Sequence, residues 1–180
     1  MNTTSTHPRY LLVVYDKIME SRWSVILMEY WKQLERDGLV RQAFPDGLVA
    51  TLEQFMDLAL SPAILFFLCL DTEKMRPCGV CHLTDFHGYS AMVHFSVLRA
   101  YHGKEAKNMV DYALSVISGI KRQDGSPCVS TLIGLTPTTN RPAVRFLKRV
   151  GFEPLTVIKN SMFIADHQKW VDAILSKKEL

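Results

Sequence analysis

The spacing of Cys78, Cys81 and His82 could support haem or metal chemistry. Cys78-Gly-Val-Cys81-His82 matches the Cys-x-x-Cys-His pattern at which c-type haem is attached. Haem attachment normally follows export, but the N-terminus is polar and lacks the charged and apolar segments of a secretory signal. A zinc site would need a second Cys or His pair at ligand spacing, and none is evident. On a strand, residues three apart also point to opposite faces. We therefore interpret these residues as reduced and structural and expect no metal site.

Composition and charge restrict the classes of protein to which the chain can belong. With 180 residues, of which 48% are hydrophobic, the chain is long enough for one sizeable core. We expect a flexible tail at residues 1–8 and a single domain at residues 9–180. The formal net charge of +3 is too small to indicate nucleic-acid binding. The longest apolar run, residues 63–70, is too short for a membrane span. We expect no nucleic-acid partner, no membrane insertion and a cytoplasmic location.

Hydrophobic periodicity predicts the first half of the fold. Residues 10–15 form a strand candidate, and apolar residues from Trp23 to Leu34 recur at helical spacing up to about Gly38. Thr51 and Gln54 form a capping box at the start of a second helix. Three strands separated by turn residues should then follow at 63–70, 79–86 and 91–98. Their short connections favour an antiparallel meander.

The second half alternates helices with strands. A long amphipathic helix is predicted from about Lys104 to Ile120, followed by a strand at 129–135. Asn140 can cap a short helix that ends at Gly151. A strand, a hairpin partner at 161–165 and a terminal helix through Trp170, Ile174 and Leu175 complete the prediction. The fold class is α/β (α+β), a mixed central sheet in the order βααβββαβαββ plus a C-terminal helix.

This order and the segment from Asn140 to Phe152 resemble the GNAT N-acetyltransferase superfamily, which transfers acyl groups from coenzyme A to amines. In this segment Ala143 comes three residues after Asn140, and Gly151 and Phe152 come eleven and twelve after it. The spacing is similar to that of the last signature segment of the family. The resemblance covers the chain from Tyr10 to about residue 165 and implies acetyl-CoA as cosubstrate.

The resemblance also implies a coenzyme A pyrophosphate site at the turn into the long helix. There the family uses a Gly-rich loop, whose N–H groups and helix dipole receive the anion. In this chain Gly103 and Lys104 fit the pattern, and Arg99 and His102 add positive charge. Glu105 departs from it, because the family usually has Gly or Ala at that position. We expect Arg99, His102, Gly103 and Lys104 to contact the cofactor.

Further cofactor contacts follow from the same resemblance. In the family the backbone of the strand before the long helix binds the pantetheine arm and polarises the thioester carbonyl. Here that strand end contains Phe95, Val97 and Leu98. Asn140 is a further expected neighbour of the cofactor.

The resemblance implies direct attack by an amine on the acyl thioester, and an amine that is protonated must first give up a proton to a base. His94 is the first candidate because the ordinary pKa of histidine lies near neutrality, and Asp85 on the neighbouring strand is the second. Ser96 lies on the same face of its strand as His94 and completes the candidate catalytic set. His82 is a weaker candidate. The alternative for His94 is a hydrogen-bonded histidine of the sheet with no catalytic role.

At the position of the family's usual general acid, this chain has a different residue. Seven residues after the Asn the family often has a Tyr that protonates the departing thiolate, and this chain has Leu147. Tyr89, Tyr101 or water could replace it. Two functions therefore stay open: an N-acyltransferase with an amine on a small molecule or protein, and a non-catalytic GNAT-like module that binds coenzyme A or a partner. Exposed strands and aromatic helices are compatible with a homodimer interface and equally with a core.

Overall fold

The computed structural model describes residues 9–18 and 20–180, and the tail predicted at residues 1–8 lies outside them. The strands are β1 (Tyr10–Tyr15), β2 (Leu65–Asp71), β3 (Arg76–His87), β4 (Ser90–Val97), β5 (Thr131–Pro137), β6 (Glu153–Ile164) and β7 (Lys169–Glu179). The helices are α1 (Glu20–Arg36), α2 (Val40–Ala43), α3 (Leu52–Leu60), α4 (Lys104–Gly119) and α5 (Arg141–Arg149). The predicted order is confirmed from β1 to β6, except that the one-turn helix α2 was not predicted.

All seven strands form one sheet in the order β1-β2-β3-β4-β5-β7-β6. The predicted antiparallel meander of β2, β3 and β4 is confirmed. β4 and β5 are parallel, and α4 lies in the connection between them, as parallel neighbours require a long crossover. Across the described residues, no helix has the length and apolarity needed to cross a membrane.

An aromatic cluster fixes α1 and α3 on one face of the sheet. The predicted apolar stripe of α1 is buried through Leu27, Tyr30, Trp31 and Leu34. The ring of Phe55 on α3 lies 5.0 Å from that of Trp31 and 5.8 Å from that of Phe66 on β2. Full burial of side chains of this size contributes about 1.5–3 kcal/mol each. The Tyr30 hydroxyl also donates to the carbonyl of Ser96 at 3.1 Å, which ties α1 to β4.

The long helix α4 covers the opposite face. His82 stacks on Phe66 and so belongs to the face that carries α3. Gly79, three residues earlier on the same strand, points to the other face. A Cβ built at Gly79 would lie 2.8 Å from the Met109 methyl carbon of α4. The buried stripe of α4 therefore packs on this second face.

Two predicted helix caps are present in the structure. The Thr51 side chain accepts from the Gln54 N–H, and the Gln54 side chain accepts from the Thr51 N–H, which completes the capping box of α3. Asn140 Oδ1 accepts from the Ala143 N–H at 3.2 Å and caps α5. Gly151 follows α5 with φ +86°, a conformation that favours glycine. Local chemistry alone sets these boundaries.

The predicted terminal helix through Trp170, Ile174 and Leu175 is wrong, because these residues belong to β7. That strand pairs with β5 on one side and β6 on the other. Alternating burial at Val171 and Ala173 fits a strand between two neighbours. The hairpin partner predicted at 161–165 is likewise the end of the longer strand β6. An irregularity between Ile158 and Met162 divides that strand and explains the two shorter predictions.

Candidate functional site

β4 and β5 separate part-way along their length. They pair only from Ser90 to Met92 on β4, opposite residues 131–133 on β5. β4 continues to Val97 and β5 to Pro137 without further register partners between the two strands. A cleft therefore opens in the middle of the sheet, bordered by the ends of two central strands.

Peptide groups of β4 point into this cleft. The Leu98 N–H donates to the Cys78 carbonyl on β3 at 3.0 Å. Because peptide groups alternate in direction along an antiparallel strand, those of Ser96 also face β3, and those of Phe95 and Val97 face the cleft. The Phe95 peptide groups and the Val97 N–H are therefore directed toward the cleft, whereas the Val97 carbonyl is already in contact with the His102 ring. The Leu98 amide is used within the sheet, and its side chain is buried.

The turn into α4 closes one end of the cleft. Gly103 precedes the helix with φ +84° and ψ −127°, and a Cβ there would meet nothing within 4 Å. The His102 ring Nε2 lies 3.1 Å from the Val97 carbonyl and joins this turn to β4. The first N–H groups of a 16-residue helix lack intrahelical acceptors and carry the positive end of its dipole. This end of the cleft can therefore bind an anion.

A cavity of about 370 Å³ extends from this turn along α5. Its lining includes Phe95, Ser96, Val97, His102, Gly103, Ala106, Asn140, Arg145 and Arg149. Arg145 and Arg149 are four residues apart on α5, so they lie on the same side of the helix. The sequence analysis missed both. Their signal was the recurrence of arginine at positions 141, 145 and 149.

Glu105 is directed away from the cavity. Its Oε2 lies 2.8 Å from Arg9 Nη1, and it accepts a hydrogen bond from the Tyr10 hydroxyl. These two contacts, that of Tyr10 first, lower the pKa of the Glu105 carboxyl. The neighbouring Ala106 lines the cavity instead. The negative charge of Glu105 is thus compensated at the start of β1 and does not occupy the anion end of the cleft.

Two predicted cationic contacts lie outside the cavity lining. The Arg99 guanidinium donates to the Asp37 carbonyl at 2.5 Å, and the Arg99 N–H donates to the Asp37 carboxylate at 3.0 Å. Arg99 therefore joins the loop after α1 to the loop before α4. Lys104 is exposed at the first position of α4. Of the predicted cofactor residues, the structure brings Phe95, Val97, His102, Gly103 and Asn140 together around one cavity.

A second cavity, also of about 370 Å³, adjoins the first. The two share Gln42, Ala43, Phe95, Asn140, Ala143 and Phe146 in their linings. Ser96 lines the first cavity and His94 lines the second, on either side of Phe95. The cleft therefore runs from the anion-binding turn at Gly103 to the imidazole of His94.

A row of four rings holds His94 in place. Tyr15, Phe66, His82 and His94 are register partners on successive strands from β1 to β4. The His82 and His94 rings are parallel within 9°, with centroids 4.5 Å apart. Burial, reinforced by His94, lowers the pKa of His82 to about 3. His82 is therefore neutral near pH 7, and its ring holds the His94 ring in place by stacking on it.

His94 is also uncharged near neutral pH. Solvent reaches its ring, but the walls of the cleft remove enough hydration to lower its pKa. The carboxylates of Asp85 and Asp46 oppose this effect, because a nearby negative charge favours the imidazolium. A neutral imidazole in a cleft can accept a proton from a ligand.

Thr84 connects the two predicted catalytic residues. Its hydroxyl donates to Asp85 Oδ2 at 2.8 Å, and its oxygen lies 3.4 Å from His94 Nε2. Because the single hydroxyl proton goes to Asp85, the oxygen can only accept from His94, which favours the tautomer protonated at Nε2. Nδ1 then has a free lone pair. The structure thus places Asp85 behind Thr84, and the sequence analysis did not single out Thr84.

Neither tyrosine considered as a general acid lines the two cavities. The Tyr89 ring lies under the Arg122 guanidinium at 4.5 Å. The Tyr101 ring is buried, with Lys74 Nζ 4.8 Å from its centroid. Leu147 does line the second cavity. Of Tyr89, Tyr101 and Leu147, only Leu147 lies in the cleft, and its side chain has no proton to donate.

The cysteine motif lies in the core of the sheet. Cys78 is buried, with its thiol 3.2 Å from the Cys69 carbonyl and 3.6 Å from the Met109 sulfur. Cys81 is also buried, which raises the pKa of its thiol. His82 stacks on Phe66. These contacts are packing contacts on two faces of β3.

Comparison with known proteins identifies the architecture. No protein-family model and no curated protein matches the chain. Among solved structures, spermidine N-acetyltransferase from Vibrio cholerae in complex with CoA and spermine superimposes with a TM-score of 0.71 at 13% identity, over 95% of each chain. The chain has the GNAT fold. Ribosomal-protein-S5-alanine acetyltransferase from Vibrio fischeri gives 0.67 at 17% identity, over 96% of this chain and 94% of that one.

A eukaryotic structure extends the GNAT comparison. Arabidopsis thaliana NAA60 in complex with a bisubstrate analogue superimposes with a TM-score of 0.62 at 14% identity, over 95% of this chain and 99% of that chain. The comparisons confirm at the level of the fold the resemblance seen at residues 140–152. The separation of β4 from β5 and the turn at Gly103 are the parts of this GNAT fold that form the cleft.

Proposed function

We propose that the chain is an acyl-CoA-dependent N-acyltransferase that transfers acetyl from acetyl-CoA to a primary amine by direct attack in a ternary complex. The observation that carries the proposal is the continuous cleft, with an anion-binding turn at Gly103 and a neutral imidazole at His94. Acetyltransferases of the same fold, one solved with CoA and one with a bisubstrate analogue, support it.

The cleft residues divide into two groups by their chemistry. The N–H groups at the start of α4, with Arg145 and Arg149, suit the phosphates of coenzyme A. The peptide groups of Phe95 and the N–H of Val97 suit an extended pantetheine arm and the thioester carbonyl. One preorganised donor to a developing oxyanion is worth about 3 kcal/mol.

His94 suits the role of proton acceptor. Presenting an alkylamine with a pKa of about 10.4 in its neutral form at pH 7 costs roughly 4 to 5 kcal/mol. His94 Nδ1 accepts a proton from the amine as the C–N bond forms and the C–S bond breaks. The sulfur leaves with the bonding electron pair and takes its proton from water, since Leu147 offers none.

Calorimetry with acetyl-CoA tests the cofactor site. Gly103→Glu places a carboxylate at the anion-binding turn and forces a non-glycine residue into φ +84°. Gly125→Glu is the matched control, because Gly125 has φ +81°, nothing within 4 Å of a built Cβ, and lies outside both cavities. We expect micromolar binding that only Gly103→Glu abolishes. Absence of binding by the folded parent would refute the proposal.

A second function is favoured by one observation. Leu147 occupies the position of the family's acid, and Tyr89 and Tyr101 lie away from the cleft. A non-catalytic GNAT-like module would bind acetyl-CoA and release no thiol with any amine. An assay of thiol release therefore separates the two functions.

Two further proposals concern the setting of the protein. Cys69, Cys78, Cys81 and Cys128 are free thiols, which agrees with a reducing compartment such as the cytoplasm. The homodimer stays a prediction. Exposed apolar side chains at Leu155, Val157, Ile158 and Trp170 would supply its interface.

A further inference from the structure

We propose that Thr84 and Asp85 form a proton relay that carries the proton accepted by His94 out of the cleft. This inference rests on the proposed function and assigns a part in that reaction to two neighbouring residues of β3. A proton taken up at His94 Nδ1 must leave before the next turnover. His94 lines the second cavity, where the acceptor would cover the ring, so the proton needs a route that stays open when the cleft is full.

The hydrogen bonds of this group all run in one direction. With its proton on Nε2, the His94 ring donates to the Thr84 oxygen across 3.4 Å. The Thr84 hydroxyl in turn donates to Asp85 Oδ2 at 2.8 Å. Each donor therefore faces the next acceptor, from the imidazole in the cleft to a carboxylate that is exposed to solvent.

The backbone conformation at Asp85 brings its carboxylate to Thr84. Neighbouring side chains on a regular strand point to opposite faces of the sheet, so these two would not normally meet. Asp85 has φ +49°, in the left-handed region that favours glycine. The register between β3 and β4 is interrupted at the same place, between Thr84 and His87. An irregularity of this kind re-aims a side chain, and here it directs the carboxylate onto the Thr84 hydroxyl.

Asp85 connects the cleft to a separate groove. Thr84 lines the second cavity together with His94. Asp85 lines neither cavity of the cleft. It borders a groove of about 440 Å³ near the turn between β3 and β4, with His87 and Ser90. A proton that reaches Asp85 can therefore exchange with solvent while ligands fill the cleft.

The other ionisable groups that face His94 do not provide this route. His82 stacks on the ring, and burial lowers the pKa of His82 to about 3, so it is neutral. Asp46 opposes the lowering of the His94 pKa that burial causes, but it lines the second cavity and its Oδ1 already accepts from a backbone N–H. In the part of the chain that the structure describes, Thr84 is the one hydrogen-bond partner of the His94 ring.

The relay moves one proton at each step. The amine proton binds His94 Nδ1, the Nε2 proton passes to the Thr84 oxygen, and the Thr84 proton passes to Asp85, which releases it to water. No bond between heavy atoms changes, and no charge remains on the ring. After the product leaves, exchange with water returns the ring and the hydroxyl to their starting states.

Thiol-release kinetics of Thr84 variants test the relay. The acceptor is whichever of hexylamine, spermidine and a peptide beginning with alanine the parent acetylates fastest. We expect Thr84→Val to lower kcat at least about tenfold with the KM of acetyl-CoA unchanged, which is part of the roughly 10²–10⁴-fold that acid–base catalysis supplies. Thr84→Ser keeps the hydroxyl and should stay within about threefold of the parent. An equal loss in both variants would assign the effect to packing and overturn the relay.

Thr131→Val is the matched control. The Thr131 hydroxyl also donates to a carboxylate from a strand, that of Glu179 at 2.8 Å, and Thr131 lines neither cavity of the cleft. We expect this variant to keep the kcat of the parent. Thermal melts of the valine variants confirm that the fold is retained.

A double variant distinguishes a relay from two separate effects. Asp85→Asn can still accept the Thr84 hydrogen bond through its amide oxygen but cannot take the proton, so it should lower kcat about as much as Thr84→Val. Because the two residues act in series, the double variant should be no slower than either single variant. The comparison is made on the plateau above the acid limb, where a changed His94 pKa does not enter. Losses that multiply in the double variant, or the parent's kcat in Thr84→Val, would overturn the relay and leave the proposed function intact.

The tautomer of His94 tests the first step without turnover. Two-bond nitrogen–hydrogen correlation NMR spectra of the parent should show a neutral ring protonated at Nε2, and Thr84→Val should lose that preference. A parent ring protonated at Nδ1 would overturn the relay. If the parent binds acetyl-CoA but releases no thiol with any of the amines, the proposed function fails and the relay fails with it.

Discussion

Replacing Leu147 by tyrosine should restore a general acid to the cleft. Leu147 is half-buried, with one side toward Gly134 and the other lining the cavity that contains His94. A tyrosine side chain at this position would extend its ring and hydroxyl into the cavity, because the leucine that it replaces already lines that cavity. We expect Leu147→Tyr to increase kcat for acetyl transfer.

The size of the gain follows from the proton demand of the leaving group. A thiol has an ordinary pKa of about 8.5, so pH 7 lies about 1.5 units below the pKa of the leaving group. Protonation in the transition state can then contribute at most about 2 kcal/mol, or roughly 30-fold in kcat. Above pH 8.5 the thiolate leaves without a proton, and the gain should disappear.

The assay is thiol release as a function of pH for the parent, Leu147→Tyr and Leu147→Phe. Phenylalanine fills the same space without a hydroxyl, so it controls for packing, including an overpacking cost of about 1–3 kcal/mol in stability. Thermal melts of both variants measure that cost. An equal gain with phenylalanine, or a tyrosine gain that persists at pH 9.5, would show that proton donation is not what the chain lacks.

Two more predictions follow from the structure. In Asp85→Asn the loss of a negative charge near His94 lowers the pKa of that imidazole further, so the acid limb of the kcat/KM profile should move to lower pH; an unchanged limb would separate His94 from the rate. Gly79→Ala should destabilise the fold by about 1–3 kcal/mol in chemical denaturation, because its Cβ would lie 2.8 Å from Met109, whereas Gly119→Ala, with nothing within 4 Å, should not.

Locally encoded features of the fold were predictable from the sequence. The cap at Asn140, the capping box of Thr51 and Gln54, and the glycine after α5 involve residues within a few positions of one another. Such contacts form wherever the helix forms, so their residue types identify the boundaries. The meander was predictable for a related reason, since short turns allow only antiparallel neighbours.

The C-terminal strand was not predictable in this way. Trp170, Ile174 and Leu175 fit a helical spacing, and the same segment buries Val171 and Ala173 at strand spacing. The choice between the two is made by β5 and β6, which supply backbone partners on both sides. β5 begins about 40 residues before β7 and β6 about 15 residues before it, so the local sequence of β7 does not indicate that it pairs with them.

The candidate site also contains features that were predictable from the sequence and features that depend on the folded sheet. Gly103 and Asn140 were proposed because they fit a family motif, and His94 was proposed because of the ordinary pKa of histidine. The cleft itself depends on where β4 stops pairing with β5, which is a property of the sheet. Arg145 had a readable signal in the arginine repeat of α5, whereas Thr84 acquires meaning only from its distance to His94.

The two departures from the family pattern have different consequences. Glu105 forms contacts with Arg9 and Tyr10 at the start of β1, so its charge is compensated before an anion arrives. Nothing comparable compensates for Leu147, because it lines the part of the cleft that contains His94 with an apolar side chain. The structure therefore supports cofactor binding more strongly than rapid turnover. From these contacts we predict a chain that binds acetyl-CoA well and transfers acetyl slowly.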